Sequence, residues 1–177
     1  MTQESPKLRR AKATVLGVVI GAVFALAIVF GGQRLFGPGP IPVLDPNVFE
    51  SQRERWQTQR LQNYDLETTV EGRQAAVYRV EVRSGKVVSA KRNERDLPPG
   101  RTWETWSIDG MFRTIATDVE SLRKHAAGTA DQSTPDVALR AEFDSDLGYP
   151  KRFLRVQRMG QAPSMEVTWK VTEFTKH

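Results

Sequence analysis

The most prominent pattern in the chain is an uninterrupted apolar run close to its start. Residues 13–32 read ATVLGVVIGAVFALAIVFGG and contain no charged side chain. As a helix, this run is about 30 Å long at about 1.5 Å per residue, which matches the hydrocarbon core of a bilayer. A surface helix would show a polar face, which the run lacks. The pattern therefore predicts a transmembrane helix over residues 14–32.

Six further segments alternate between apolar and polar residues with a period of two, which is typical of strands that bury one face. On the polar side of the first segment lie Asp65 and Glu67, and on that of the second lie Arg79 and Arg83. This arrangement predicts cross-strand ion pairs. The six predicted strands cover residues 64–70, 76–82, 86–91, 137–143, 153–158 and 165–171.

Two helices are predicted outside the apolar run. Asp45 followed by Pro46 is a typical helix start, and the polar helix that follows is expected to end near Leu61. A second helix, capped by Ser107 or Asp109, is indicated by apolar residues at steps of three and four. These are Ile108, Met111, Phe112, Ile115, Val119 and Leu122.

The order of these elements predicts an α+β fold. A parallel sheet would require strands and helices to alternate along the chain, and they do not. After the transmembrane helix we expect an antiparallel sheet of about six strands with a main helix packed on one face, in the order helix-βββ-helix-βββ. The predicted parts are a cytoplasmic tail at 1–13, the span at 14–32, a Pro/Gly-rich linker at 33–46 and an extracytoplasmic domain at 47–177.

The charge distribution predicts the orientation in the membrane. Lys7, Arg9, Arg10 and Lys12 precede the apolar run and are opposed only by Glu4. Such a cluster stays in the cytoplasm, so a single-pass protein of the cell membrane with an exported C-terminal domain is expected. The later part of the chain is almost balanced, with 22 basic and 20 acidic residues, and does not indicate nucleic-acid binding.

Two features of the apolar run leave alternatives open. Ala25-Leu26-Ala27 has the small-x-small form of a signal cleavage site, so release near Ala27 is the alternative to an uncleaved anchor. Gly17, Gly21 and Ala25 recur every four residues, a spacing that lets two membrane helices approach closely and pair into a homodimer. Small residues are also simply common in such spans.

The residue inventory offers little chemistry. The chain contains no cysteine, which excludes disulfides, thiol catalysis and thiolate metal sites. Its two histidines, His125 and His177, have no sequence partner that would indicate a catalytic triad or a metal site. We therefore predict no cofactor, no metal and no catalytic residue.

One stretch, FDSDLGYPKRF, resembles a chemical site most closely. Asp144 and Asp146 lie two positions apart, as in a calcium loop, but glycine and a distant glutamate are missing from the positions such a loop requires. Two aspartates in one polar loop also offer no contrast in environment for acid–base catalysis. With Gly148 and Pro150 following, the stretch is interpreted as a turn between strands.

Two groups of residues are candidates for an interaction surface. Trp103 and Trp106 precede the main helix and would form a stacking platform if exposed, or cover the end of the core if buried. A basic patch around the fifth strand would suit anionic headgroups or an acidic partner, unless acids on neighbouring strands neutralise it. The patch consists of Lys151, Arg152, Arg155 and Arg158.

Several short motifs resemble, in their order, a bacterial family of small exported proteins defined only as a domain of unknown function. They are Trp56 and Tyr64, the strand VEVRSGKV from Val80, the segment from Asp109 to Phe112, and the turn Gly148-Tyr149-Pro150. The resemblance spans about residues 52–174. It implies an envelope location, and it carries over no functional residue. Cysteines common near the family's first strands are absent here.

The sequence thus predicts a membrane-anchored envelope protein whose exported domain is a non-catalytic binding or interaction module. Its expected partners are the lipid bilayer and an envelope protein or small ligand, with no nucleic acid. A secreted protein released near Ala27 and a hydrolase that uses carboxylates alone are the alternatives.

Overall fold

The computed structural model describes residues 39–160 and 162–177. The tail, the expected membrane span and its contact residues Gly17, Gly21 and Ala25 lie outside the described residues. Within the described part of the chain, no helix combines the length and apolar character needed to cross a bilayer.

In the part of the chain that the structure describes, seven strands form one sheet. Each pairs with its neighbours in antiparallel fashion, and the spatial order is β4-β3-β2-β1-β7-β6-β5. The strands are β1 (Tyr64–Gly72), β2 (Ala76–Arg83), β3 (Lys86–Arg92), β4 (Arg95–Asp96), β5 (Asp136–Phe143), β6 (Pro150–Met159) and β7 (Ala162–Lys176).

In the described ranges, three helices accompany the sheet: α1 (Pro46–Gln59), α2 (Arg101–Thr105) and α3 (Ile108–Ala126). Asp45 caps α1, as its Oδ1 accepts from the Asn47 N–H at 2.7 Å. Ser107 caps α3, as its hydroxyl accepts from the Gly110 N–H at 3.1 Å. Both helix starts lie where the sequence predicts them.

The predicted fold class is wrong in its element count and order. The described part of the sheet has seven strands instead of about six, and the stretch 93–105, for which no element was predicted, contains both β4 and α2. Two and five residues are too short to show a period. The turn into β4 places Asn93 and Glu94 at φ 47° and 65°, a conformation that the sequence does not signal because glycine is absent.

One face of the sheet, the covered face, packs against the helices. Alternate residues of β1 and β2, such as Tyr64, Leu66 and Val80, are buried there. The apolar stripe of α3 packs against them, with Ile115 and Met111 fully buried. This arrangement leaves the opposite face of the sheet, the open face, without a helix over it in the described residues.

The two edges of the sheet differ. Along β5, the segment Pro42–Leu44 runs as an additional short partner: the Leu44 N–H donates to the Leu139 carbonyl and the Ala141 N–H to the Pro42 carbonyl, both at 3.0 Å. This segment belongs to the Pro/Gly-rich stretch that was expected to be a linker. At the other edge, in the described residues, β3 is paired on its outer side by the two residues of β4 and by one hydrogen bond from the Leu97 N–H to the Ala90 carbonyl.

Candidate functional site

The open face carries most of the charged residues of the first three strands, because the side chains between core positions project there. A depression with a volume of about 260 Å³ lies on this face, over β1, β2, β3 and the end of β7. Carboxylates outnumber cations around it. The acids are Asp65, Glu67, Glu81, Glu94 and Glu173, and the cations are Arg79 and Lys91.

Arg79 lies at the centre of an ion-pair network in this depression. Its Nε lies 2.7 Å from Oε2 of Glu67, the residue directly opposite on β1, and its Nη1 contacts Glu94. The Thr172 hydroxyl donates to Glu67 Oε1 at 2.7 Å. These bonds, first from Thr172 and then from Arg79, lower the pKa of Glu67, so this carboxylate is ionised at neutral pH.

A second network forms around Asp65. Arg83 Nη1 donates to Asp65 Oδ1 at 2.7 Å, and His177 Nε2 lies 2.9 Å from Asp65 Oδ2. The hydrogen bond from Arg83 is the main cause that lowers the pKa of Asp65, with His177 adding to it. The cross-strand ion pairs predicted from the alternation of acids and bases are therefore confirmed at both positions.

The contact of His177 with Asp65 was missed by sequence reasoning. The two residues are 112 positions apart, and they meet because β1 and β7 are neighbours although they lie at opposite ends of the domain's sequence. The alternation of residues 165–171 predicts a strand, and this strand continues in the structure until its last residues lie beside the start of β1. The contact between His177 and Asp65 follows only once β7 is known to pair with β1, and periodicity does not predict which strands pair.

Two acids in the depression have weak or no ion pairs. Glu81 approaches Arg83 only at 4.0 Å, and Glu173 has no ion pair within the described residues. Glu173 also lies directly opposite Glu67 in the register of β1 and β7. Like charges in opposed positions destabilise a sheet, so a cation supplied from outside would be favourable here.

Trp103 and Trp106, the two tryptophans proposed from the sequence as part of an interaction surface, do not lie on the open face. Trp106 is only 9 % exposed, stacks on Tyr78 with ring centroids 4.2 Å apart, and meets Trp169 edge-on. Trp103 is half-buried, and its indole N–H donates to the Leu97 carbonyl at 2.9 Å. The two side chains thus do not form one exposed platform, and only Trp103 borders the surface.

The predicted basic patch on β6 is divided between the two faces of the sheet. Arg152 pairs with Glu142, and Arg158 lies 3.5 Å from Asp136, both acids being on the neighbouring strand β5. Lys151 is exposed. Arg155 projects to the covered face, so the four residues do not form one cationic surface.

On the covered face, Arg155 pairs with an acid of α3. Its Nε lies 2.9 Å from Asp118 Oδ1 and 3.0 Å from Oδ2. Burial raises the pKa of Asp118, although the hydrogen bond from Arg155 opposes this. The pair connects α3 to β6.

Within the stretch 143–153, residues 144–149 form the turn between β5 and β6. Asp144 Oδ1 accepts from the N–H groups of Asp146 and Leu147 at 3.1 and 2.9 Å. Gly148 has φ +80°, and a Cβ there would lie 2.8 Å from the Gln52 carbonyl oxygen of α1. The carboxylate of Asp144 therefore organises backbone, and the turn interpretation accounts for this stretch.

No group of three or more His, Cys, Asp or Glu side chains in the described ranges is arranged to hold a metal ion. The absence of a cofactor and of catalytic residues stays a prediction.

The fold and the site define an α+β domain with a seven-stranded antiparallel sheet, helices on one face and a charged depression on the other. The chain belongs to a family of unknown function (DUF6174), whose model matches residues 48–176. No match was found among curated proteins. The resemblance to a domain of unknown function is thereby confirmed, while the bacterial and exported character that it implied stays a prediction.

Proposed function

We propose that this domain is a non-catalytic interaction module that binds a cationic protein surface on its open face. The observation that carries the proposal is the asymmetry of the sheet: among the described residues, helices cover one face, and the other face holds an acid-rich depression. Charge complementarity selects the partner, because exposed lysine or arginine side chains would satisfy Glu81 and Glu173.

The properties of the carboxylates favour binding over the alternative of a hydrolase. Acid–base catalysis by two carboxylates needs one of them to hold a proton near neutral pH. The pKa values of Asp65 and Glu67 are both lowered, so neither would donate one. Asp118, whose pKa is raised, is buried against Arg155 on the covered face and does not line the depression.

A lysine hexapeptide is a suitable first probe for this proposal. Titrated into the ¹⁵N-labelled domain (residues 39–177), it should shift backbone amide resonances of β1, β2 and the end of β7. The double variant Glu81→Gln with Glu173→Gln should weaken binding several-fold. Glu120→Gln, on the exposed side of α3, is the matched control and should leave the affinity unchanged. Shifts scattered over both faces, or equal weakening by the control, would contradict the proposal.

The location of the domain is a separate proposal. We infer an extracytoplasmic domain from Lys7, Arg9, Arg10 and Lys12, which precede the apolar run. Release after cleavage near Ala27 would also place the domain outside the cytoplasm. Protease added to intact cells should therefore digest the domain, and its protection from protease would refute the inference.

A further inference from the structure

The outer edge of β3 is open over half of its length. β4 pairs only with Lys91 and Arg92, and the Leu97 N–H donates to the Ala90 carbonyl at 2.9 Å. In the described residues no strand runs beside 86–89. Alternate backbone groups of an antiparallel strand point away from its partner, so this stretch has donors and acceptors available for another strand. Four residues correspond to about 13 Å of edge.

A cavity lies beside this edge on the covered face, between the start of β3 and α2. Its volume is about 440 Å³, and Val87 and Trp103 contribute apolar surface to it. The charged residues of its lining balance, with two cations, Lys86 and Arg113, and two acids, Glu104 and Asp109. The hydrogen bond from the Trp103 indole to the Leu97 carbonyl fixes the position of that ring. Side chains of an added strand would point alternately to the two faces, so every second one would face the cavity. Val88 at the same edge is 50 % exposed.

The charges of β3 select the kind of strand that fits. Its sequence, KVVSAKR, holds three cations and no carboxylate. Lys91 lies 3.9 Å from Asp96, whereas Lys86 and Arg92 have no carboxylate within 4.0 Å in the described residues. A second copy of β3 would place cations against cations, which is unfavourable. The complementary partner is therefore an acidic segment.

We propose that the edge of β3 binds an extended acidic segment of another polypeptide by strand addition, with an apolar side chain of that segment in the cavity at Trp103. This surface is distinct from the open face, and the proposal rests on different observations. It gives the domain a second interaction site, specific for unfolded or extended chains, whereas the open face suits a folded surface.

Three labelled peptides test the proposal on the full-length protein by fluorescence anisotropy. The first probe is the peptide EVEFEVE. The second has the same sequence with alternate backbone amides methylated, on the side that would pair with β3. The third is EVEAEVE, which lacks the aromatic side chain. We expect the first to bind with a Kd below about 1 mM and each of the others to bind at least about tenfold more weakly.

Protein variants locate the site. Lys86→Glu combined with Arg92→Glu changes two exposed side chains that make no ion pair, and should raise the Kd about tenfold. Lys170→Glu combined with Lys176→Glu, three strands away on β7, changes the net charge equally and is the matched control, which should change the Kd less than about twofold. Melting curves confirm that each variant is folded.

The outcomes separate this proposal from simple charge attraction. Equal binding of the methylated and unmethylated peptides would overturn strand addition, and equal effects of the two protein variants would overturn the location at β3. Failure of EVEFEVE to bind at about 1 mM would overturn the proposal altogether. None of these results bears on the open face, because the lysine hexapeptide and the variants at Glu81 and Glu173 test that site separately.

Discussion

At the residue scale, Thr68 is the least expected member of the core. It lies on the covered face of β1 and is 1 % exposed, and its hydroxyl has no hydrogen-bond partner in the described residues. An unsatisfied buried hydroxyl is destabilising by about 1–3 kcal/mol. The alternation of β1 predicts that position 68 is buried, but a strand pattern alone does not reveal whether a hydroxyl finds a partner.

Thr68→Val should therefore stabilise the domain. Valine has nearly the same shape and removes the unpaired oxygen, so we expect the free energy of unfolding to rise by about 1 kcal/mol or more. Urea denaturation measures this. Thr69→Val, on the open face of the same strand, is the control and should have a smaller effect. A loss of stability at position 68 would mean that the hydroxyl has a partner.

Asp131 gives a prediction for the dependence of stability on pH. Its Oδ1 accepts hydrogen bonds from the Ser133 N–H, the Ser133 hydroxyl and the Thr134 hydroxyl at 2.7 to 2.9 Å, which lower its pKa to about 2 from the usual 3.8. A lowered pKa stabilises the fold above the unfolded-state value, and this contribution disappears as the pH falls through the folded-state value.

The melting temperature of Asp131→Ala should accordingly lie below that of the wild type at pH 7, and the difference should shrink between about pH 4 and pH 2. Ser133→Ala and Thr134→Ala remove donors to the same carboxylate and should reproduce part of this behaviour. A difference that stays constant over that range would show that the ionised carboxylate contributes nothing.

At the element scale, long periodic segments could be predicted and short ones could not. The α3 stripe and six of the seven strands follow from residues at fixed intervals, because burial on one face imposes that interval. β4 and α2 are held by neighbours instead: β4 by its pairing with Lys91 and Arg92, and α2 by its contact with α3, where a Cβ on Gly110 would lie 1.7 Å from the Glu104 carbonyl oxygen. Such contacts have no sequence period.

The α3 stripe predicts a contrast between two neighbouring residues. Phe112 is 4 % exposed and packs against Phe49 and Phe143, at ring-centroid distances of 5.9 and 6.3 Å. Phe112→Ala should lower the free energy of unfolding by about 3–5 kcal/mol. Arg113 is exposed and only pairs with exposed Glu104 at 3.3 Å, so Arg113→Ala should cost less than about 1 kcal/mol. Similar melting curves for the two variants would contradict the packing of α3 on the sheet.

At the scale of the whole molecule, the order of the strands determines what the domain presents. β1 and β7 are central, so the open-face depression combines residues from both ends of the sheet-forming sequence. Periodicity predicts the strands of each meander but not which strands join the two halves. The candidate surfaces chosen from the sequence were runs of one residue type, whereas the depression and the β3 edge arise from strand order.

The segment Pro42–Leu44, which pairs with the outer edge of β5, gives a prediction about self-association at this scale. A truncated variant that begins at Asp45 lacks Pro42–Leu44 and exposes the backbone groups of Leu139 and Ala141. It should self-associate more than a variant that begins at Gly39, as measured by sedimentation velocity at several concentrations. Equal sedimentation of the two would mean that those hydrogen bonds do not protect the edge.

The same segment determines how the domain responds to mechanical force. Tension applied through residues that precede Pro42 loads the two hydrogen bonds to β5 before it reaches α1, which is anchored in the core by Phe49 and Trp56. With the hydrogen bond from Arg140 Nη1 to the Ile41 carbonyl at 2.8 Å and the buried Leu44 side chain, the segment still has fewer anchoring contacts than α1, so we expect its detachment to be the first event under load. Stretching would thus expose the edge of β5 for pairing with another chain while the rest of the domain stays folded.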